Sequence, residues 1–286
     1  MSGASVIQSR LTFRSAAGDV AWQKQLRDRY EAEGAPPVPH LDVKRAIVRP
    51  VSRKLAAQII LKYEWLGTMP NCNYFYGIFF GPYCAGVACV GVGGGGANVY
   101  AYKEFGLKNQ GQFAYLMRGA NVHWSPTGAN SRLVSWTCRL LTKQSDAKII
   151  IAYSDTDAGE IGTIYQACNW VCVGKGHVPD QWVAPNGRIY DHKYASNLAK
   201  KRGVPRAVAT RALKDAGWQT QRANPKYRYV YVLDKSDKAL VDRVECMRQP
   251  YPKRAAEVTP GDTSGVQPEE GGSRPTRPLE SVEALP

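Results

Sequence analysis

The sequence predicts an α/β (α+β) protein whose central sheet is mixed and largely antiparallel, with helices on both of its faces. Two observations support this prediction. About four β-type runs follow one another with short connections, and a later run, Ile149-Ile-Ile-Ala-Tyr153, is nearly all apolar. Consecutive strands with short connections form an antiparallel meander, whereas an apolar strand must be covered on both faces. The 286 residues suffice for one such core with additions.

The first half of the chain predicts a strand, a helix and a hairpin. A short β-type run covers Val43 to Val48, and Ser52 is of the residue type that caps a helix, which we expect to run through Tyr63. The runs Tyr74 to Phe80 and Tyr83 to Val92 are aromatic and β-branched, with a Gly-Pro pair between them. That pattern is typical of a β-hairpin.

Four consecutive glycines, Gly93 to Gly96, follow this hairpin. A phosphate-binding loop would need Gly-Lys-Ser/Thr and a helix after it, whereas Ala97 to Tyr102 has the pattern of another strand. We therefore interpret the glycines as a hairpin turn. The run Phe113 to His123 predicts a further strand.

The second half predicts alternating helices and strands. Apolar residues repeat at helical spacing from Ser131 to about Lys143, and the buried strand Lys148 to Tyr153 follows. We expect a glycine-flanked helix from about Gly159 to Trp170 and a short strand from Val171 to Val173. The alternating run Tyr227 to Leu233 predicts the last strand.

Charge and composition predict three parts of the chain. The formal net charge of +14 attracts polyanions, of which nucleic acid is the commonest. Residues 257–286 hold six acidic and two basic side chains among many Pro, Gly and Ser, so we expect a disordered acidic tail there. We expect residues 1–42 to form an N-terminal extension and linker, and residues 43–256 to form the folded domain.

Cysteine usage and hydropathy indicate the cell compartment. The seven cysteines form no Cys-x-x-Cys pair and no secretory leader is recognisable, so we expect reduced thiols and a cytoplasmic protein. A zinc site is disfavoured for the same reason. No run reaches the roughly 18 apolar residues that a membrane span needs, so we expect no membrane contact.

The most informative stretch runs from Tyr153 to Trp170. Its end, Tyr165 followed by Asn169-Trp170, resembles the tyrosine helix of the GNAT acyltransferase superfamily, and the predicted order of elements is the GNAT order. The whole stretch is similar to the signature of phage Mom proteins, approximately Tyr-x-Asp-x-x-x-Gly-His-x-Gly-x-Ile-Tyr-x-Ala-x-x-Trp. The matching residues are Tyr153, Asp155, Gly159, Gly162, Ile164, Tyr165, Ala167 and Trp170.

This resemblance implies an activity. Mom proteins are GNAT-related and convert adenine in phage DNA to a bulky N6-acetamido form, which blocks host restriction enzymes. The resemblance extends over roughly residues 43–233 and implies acetyl-CoA or a related acyl-CoA as donor and double-stranded DNA as partner. Whether the protein forms a homodimer stays open.

The resemblance also implies residue roles. Asp155, which ends the buried strand, would orient or deprotonate the adenine amine, and Tyr165 would protonate the leaving thiolate beside the CoA sulfur. Arg118 and Ser131 fall where the family has a functional Arg and a functional Ser. Considered from the residue types alone, Asp155 or Ser131 instead caps a helix.

A CoA-binding turn is expected before the helix that begins near Ser131. In GNAT proteins such a turn presents backbone N–H groups to the pyrophosphate, which a helix N-terminus favours electrostatically. The usual Arg-x-x-Gly-x-Gly/Ala pattern is missing here. The resemblance assigns the cofactor contacts to Gly128, Ala129, Asn130, Ser131, Arg132 and Asn169.

Two positions depart from the family pattern. Many Mom relatives have a His before the Tyr that closes the first helix, where this chain has Lys62-Tyr63, and a His where this chain has Glu160. A metal proposed for the family takes that first His as a ligand, and a protonated lysine cannot replace it. Metal use is therefore undetermined by the sequence, while Tyr63 and Glu160 remain candidate active-site groups.

A basic insert, at about residues 175–226, precedes the last strand. Between Lys175 and Arg228 there are twelve Lys and Arg against three acidic residues, a net charge of +9. We expect a helix of this insert to lie with a cationic edge on DNA phosphates. The residues assigned to DNA binding are Lys200, Lys201, Arg202, Arg206 and Arg211. Four interleaved aromatics either pack in a core or stack on an extruded base; they are Trp182, Tyr190, Tyr194 and Trp218.

Together, these features predict an enzyme that transfers an acyl-CoA-derived group to adenine N6 in DNA. Two alternatives stay open. One is an ordinary GNAT N-acetyltransferase that acts on small amines or proteins, and the other is a non-catalytic DNA-binding protein built on a GNAT scaffold.

Overall fold

The structure is a computed structural model that describes Asp28, Ala32 and residues 41–64, 67–92, 101–156, 159–176, 180–187, 189–190 and 192–253. Most of the predicted N-terminal extension, the four glycines and the predicted acidic tail lie outside these residues.

A mixed sheet forms the core of the described chain. Its strands are β1 (Ile47–Pro50), β2 (Tyr74–Phe80), β3 (Tyr83–Val92), β4 (Phe113–Asn121), β5 (Ile149–Ser154), β6 (Val171–Lys175) and β10 (Tyr227–Val232). Their spatial order is β1-β2-β3-β4-β5-β10-β6. Strands β4 and β5 are parallel, and the other neighbouring pairs are antiparallel. This confirms the predicted mixed, largely antiparallel sheet.

Strands β4 and β5 diverge along their length. They pair from Phe113 opposite Ile149 to Leu116 opposite Ala152, and beyond that point β4 continues to Asn121 paired with β3. An irregularity in the register at Met117 interrupts the β3–β4 ladder just there, and such bulges bend a strand. Strand β5 meanwhile stays paired with β10. The sheet therefore opens between the second half of β4 and the end of β5.

Helices cover both faces of the sheet. They are α1 (Arg53–Tyr63), α2 (Ala101–Glu104), α3 (Ala129–Gln144), α4 (Thr163–Ala167) and α7 (Lys238–Cys246). Alternate residues of β5 enter two different cores, Ile150 and Ala152 with α1 and α3 on one face, and Ile149 and Ile151 with α7 on the other. This is the double burial that the apolar run predicted.

The first helix begins as expected. The Ser52 hydroxyl accepts the N–H of Leu55 at 3.2 Å and so caps α1, which ends at Tyr63. The strand before it is shorter than predicted, because Val43–Arg45 forms a 3-10 helix whose turn is closed by the Asp42 side chain. The strand itself is Ile47–Pro50.

The strand predicted for Ala97 to Tyr102 is wrong in its described part. Ala101–Glu104 is a short helix, which Gly106 ends with a φ of 68°. The turn buries Phe105, which is 1% exposed, in the core that contains α7. Burial of this single aromatic ring favours the helix over the strand that the local pattern suggested.

The helix predicted from Gly159 to Trp170 is also shorter than expected. It spans only Thr163–Ala167, because Gly159 and Gly162 adopt φ values of 67° and 76°, which a right-handed helix excludes. The helix α7, near the end of the described chain, has no counterpart in the prediction.

The basic insert folds as a small layer of its own. Strands β7 (Asp180–Val183), β8 (Ile189–Tyr190) and β9 (Gln219–Arg222) form an antiparallel sheet in the order β8-β7-β9. Two helices pack on it, α5 (Tyr194–Arg202) and α6 (Arg206–Asp215). The helical structure is interrupted between the clustered cations of α5 and those of α6. Gly203, with a φ of 66°, ends α5, and Pro205 is the N-cap of α6.

The four aromatic residues of the insert pack against one another. Tyr194 stacks on Trp218 at 4.9 Å between ring centroids, Tyr190 touches both rings, and Trp182 is 6% exposed. They share a core with Ala195 and Leu213. The core-packing interpretation therefore holds for these rings.

No helix in the part of the chain that the structure describes is long and apolar enough to cross a bilayer.

Candidate active site

Several of the predicted catalytic residues lie around the opening between β4 and β5. Tyr63 closes α1, Arg118 lies on β4 beyond the bulge, and Asp155 follows the last residue of β5. The loop after β5 brings Glu160, and α4 brings Tyr165. Ion pairs and electrostatic contacts indicate how these side chains lie relative to one another.

Asp155 is a buried carboxylate with a cationic partner. It is 5% exposed, and the Nζ of Lys226 lies 2.7 Å from its Oδ2. Its backbone carbonyl accepts the N–H of Glu160 at 3.1 Å, which folds the loop back toward it. The next described α-helix, α4, has Gly162 as its N-cap, so Asp155 does not cap that helix.

Glu160 has a carboxyl group whose pKa is raised toward neutral pH. Burial, and next the Asp155 carboxylate, raise its pKa to about 7, because both disfavour a second negative charge. The Glu64 carboxylate acts in the same direction, and the Lys226 ammonium opposes them. Asp155, Glu64 and Lys226 therefore all lie within electrostatic reach of Glu160, whose carboxyl titrates near pH 7.

Glu64 and Arg118 form the other side of the opening. Glu64 is 6% exposed, its Oε1 lies 3.8 Å from Nε of Arg118, and its Oε2 accepts the N–H of Gly67 at 3.0 Å. The Nη1 of Arg118 also donates to its own strand, at the carbonyl of Met117. Arg118 thus connects β4 to the end of α1, beside the bulge.

Tyr165 lies in α4 among aromatic rings. Its ring centroid is 5.1 Å from that of Trp170 and 5.2 Å from that of Tyr229. Burial, and next the charge of Glu160, raise the phenol pKa above its ordinary value, so the hydroxyl stays protonated at neutral pH. Glu160 thus lies near the Tyr165 phenol, and its N–H donates to the Asp155 carbonyl at 3.1 Å.

The Asn-Trp pair after Tyr165 ends α4. Asn169 has a φ of 58°, the left-handed conformation that Asn tolerates better than most residues. The N–H of Trp170 donates to the Tyr165 carbonyl and that of Asn169 to the Gln166 carbonyl, both at 3.0 Å, which is a Schellman ending. The cofactor contact predicted for Asn169 stays a prediction.

Tyr63 contacts a histidine that the sequence analysis did not single out. The rings of Tyr63 and His123 lie 6.0 Å apart, and the Nζ of Lys62 lies 5.1 Å from the Tyr63 ring centre. Burial, and next the Lys62 charge, lower the pKa of His123, which favours a neutral imidazole. Lys62 therefore contributes a positive charge beside this pair.

The predicted CoA turn lies at the start of α3. Gly128 is the N-cap with a φ of 86°, and Ala129, Asn130, Ser131 and Arg132 form the first helical turn. Ser131 is the third residue of the helix, so the interpretation of Ser131 as its cap is wrong. The Nε of Arg132 donates to the Ala46 carbonyl at 3.0 Å, which turns this side chain toward the segment before β1.

A cysteine connects this turn to the tyrosine helix. The Sγ of Cys168 donates to the Ser131 carbonyl at 3.3 Å, and the Ser135 hydroxyl donates to the same sulfur at 3.4 Å. The start of α3 and the end of α4 are therefore adjacent. The predicted donor-binding turn and Tyr165 lie on two elements in direct contact.

A cluster of typical metal-ligand side chains is absent from the described residues. Within the described ranges, no group of three or more His, Cys, Asp or Glu side chains is arranged to hold an ion.

The predicted DNA-binding residues lie on the two helices of the insert. Lys200, Lys201 and Arg202 are exposed on the last turn of α5, and Arg206 and Arg211 are exposed on α6. Three residues of the site escaped the sequence analysis altogether: Glu64, His123 and Lys226. Only Glu64 had a local signal, since it follows Tyr63 directly.

Several solved acetyltransferases have a weakly similar structure. An IAA acetyltransferase from Bacillus cereus ATCC 14579 gives a TM-score of 0.37 at 10% identity, covering 65% of this chain and 99% of its own. The ribosomal-protein-S18-alanine N-acetyltransferase from Escherichia coli gives 0.37 at 7%, covering 66% and 94%. The aminoglycoside acetyltransferase AAC(6')-Ib, in complex with coenzyme A and kanamycin, gives 0.39 at 10%, covering 69% and 98%.

Comparison with curated protein sequences found no match. The profile of the Mom protein family, in contrast, matches residues 45–253. That span contains the central sheet, the opening between β4 and β5, and the insert. The chain therefore belongs to the Mom protein family.

Proposed function

We propose that this protein transfers a group from an acyl-CoA to the N6 amine of adenine in double-stranded DNA. The observation that carries the proposal is the Mom family match over residues 45–253, a span in which Asp155 follows β5, Glu160 is hydrogen-bonded back to it and Tyr165 lies in the next helix. A general base and a general acid at one cleft are what transfer from a thioester to a weakly nucleophilic amine requires.

In this proposal the adenine nitrogen attacks the thioester carbonyl carbon. The new C–N bond forms as the C–S bond breaks, and the proton of the amine passes to a carboxylate. Asp155, paired with Lys226, orients the amine, and Glu160, with a pKa of about 7, accepts the proton. Tyr165, whose phenol is protonated at neutral pH, gives its proton to the departing thiolate, and the proton held by Glu160 then restores the phenol.

The acyl-CoA donor is assigned to the start of α3. The first N–H groups of a helix lack partners within that helix and favour an anion such as pyrophosphate. Gly128, which has no Cβ, begins this turn in the left-handed conformation. The contact between Cys168 and Ser131 brings the turn beside the helix of Tyr165. Asn169 is assigned to the same donor site.

The DNA surface is assigned to the insert. Its aromatic rings pack among themselves, which leaves the exposed cations of α5 and α6 to meet phosphates. Arg118, Ser131 and Tyr63 are assigned supporting roles nearer the reacting atoms.

The test is chemical analysis of DNA made alongside the protein. Plasmid from cells that express the wild type is digested to nucleosides and weighed by mass spectrometry, and we expect a heavier deoxyadenosine. D155N and Y165F should abolish it, while the exposed control changes D242N and Y83F should leave it intact. The enzymatic proposal would be overturned if the DNA stayed unmodified and the protein only bound it, with an affinity that depends on salt. Full modification by folded D155N and Y165F would overturn the site assignment.

A second arm tests the DNA surface. Reversing the charges of Lys200, Lys201 and Arg202 together is expected to raise the DNA concentration needed for half-maximal modification and to flatten its salt dependence. Unchanged modification by this triple variant would show that DNA binds elsewhere.

A further inference from the structure

The insert joins the core through a neck of two chain segments that meet beside the catalytic carboxylate. The entering segment leaves β6 at Gly176, and the leaving segment, residues 223–226, leads from β9 into β10. The N–H of Gly176 donates to the carbonyl of Lys226 at 2.8 Å, so the two segments are bonded to each other. Gly176 also packs closely on the Tyr153 ring of β5, since a Cβ there would lie 2.8 Å from that ring.

The neck is attached directly to the residues at the end of β5. The Thr156 hydroxyl donates to the Pro225 carbonyl at 3.1 Å, and the Lys226 ammonium pairs with Asp155 at 2.7 Å. Thus one short segment of the insert connection contacts both Asp155 and its neighbour Thr156.

The ion pair is asymmetric in exposure. The Asp155 side chain is 7% exposed and that of Lys226 is 44% exposed. A buried carboxylate needs a hydrogen-bonding or charged partner, because its desolvation is otherwise uncompensated. Lys226 supplies such a partner to Asp155, while its own ammonium stays within reach of solvent and of an incoming phosphate.

We propose that Lys226 is a positioning residue that orients Asp155 for the reaction and couples engagement of DNA by the insert to the catalytic opening. This inference rests on the proposed function. Lys226 acts through Asp155, and its place on the neck makes the geometry of the carboxylate depend on where the insert lies.

The kinetic test compares K226M and K226R with the wild type and with K143M, which removes an exposed lysine at the far end of α3. For K226M we expect kcat to fall about tenfold to a hundredfold, the range typical of a misplaced catalytic group, with KM for DNA changed less than about twofold. K226R, which keeps a cation, should recover most of the loss, and K143M should match the wild type. A change in KM alone, or equal loss in K226R and K226M, would overturn the proposal.

A second measurement does not depend on catalysis. Amide hydrogen exchange of residues 155–164 is expected to slow when a DNA duplex is added to the wild type and to be insensitive to DNA in K226M. If the wild type modifies no DNA, the proposed function fails. The hydrogen-exchange rates still show whether DNA binding by the insert is coupled to the loop after β5. If DNA protects the loop equally in K226M, the coupling through Lys226 is refuted, whatever the modification assay shows.

Discussion

Replacing Glu160 with glutamine is expected to stabilise the folded protein above neutral pH. The folded state raises the pKa of this carboxyl from its ordinary 4.5 to about 7, chiefly through burial and the charge of Asp155. Each pKa unit corresponds to about 1.4 kcal/mol, so ionising Glu160 in the folded state costs up to about 3 kcal/mol. Glutamine keeps the shape of the side chain and carries no charge at any pH.

The sign of the pH dependence follows from the raised pKa. The folded protein holds this proton more tightly than the unfolded chain, so the associated stability is complete below pH 4.5 and is lost as the pH rises through about 7. The E160Q protein has no such proton to lose. Its advantage over the wild type should therefore be small at pH 5 and approach about 3 kcal/mol at pH 9.

Urea unfolding at intervals from pH 5 to pH 9 measures this difference. The matched control is E245Q, because the Arg248 guanidinium, 2.7 Å from Glu245, lowers the pKa of that exposed carboxyl. Glu245 stays ionised over the whole range, so E245Q should be slightly less stable, by less than about 1 kcal/mol, with no trend in pH. A difference between E160Q and wild type that stays flat from pH 5 to pH 9 would refute the reasoning about Glu160.

Three further substitutions test the structure itself. Trp182→Ala removes a ring that is 6% exposed in the insert core, so the free energy of unfolding should fall by about 3–5 kcal/mol. Limited proteolysis should then cut the insert while residues 101–176 stay protected. Uniform digestion of both parts would contradict this. Asn169→Ala should lower stability in thermal denaturation by about 1 kcal/mol relative to Asn169→Gly, since the residue has a φ of 58°. Gly162→Ala should destabilise the protein far more than Gly187→Ala, because a Cβ at Gly162 would lie 2.2 Å from the Tyr229 ring. Gly187 has a similar φ but open space around it, so it serves as the control. Equal melting temperatures of the two variants would contradict the contact.

Local patterns were enough for much of the fold. The cap at Ser52, the hairpin with its Gly-Pro turn and the doubly buried run Ile149–Tyr153 are all decided by residues close in sequence. They were predictable because capping, turn chemistry and strand burial depend on neighbours within a few positions. The same holds for the motif from Tyr153 to Trp170, whose spacing carries the family resemblance.

Predictions failed where a distant contact overrides the local pattern. Ala101–Glu104 turns into a helix because Phe105 is buried in the core that contains α7, and α4 begins late because Gly162 fits against the Tyr229 ring. None of these partners is visible from the neighbouring residues.

The sequence by itself determined that a carboxylate ends the central strand, that a phenol lies in the helix after it, and that the connection before the last strand is strongly basic. Only the tertiary structure decided which charges surround that carboxylate. Strand pairing between β5 and β10 brings Lys226 to Asp155, and the end of α1 brings Glu64 to Arg118. The pKa of a buried group depends on the charges near it in space, and chain folding, not sequence spacing, sets those distances.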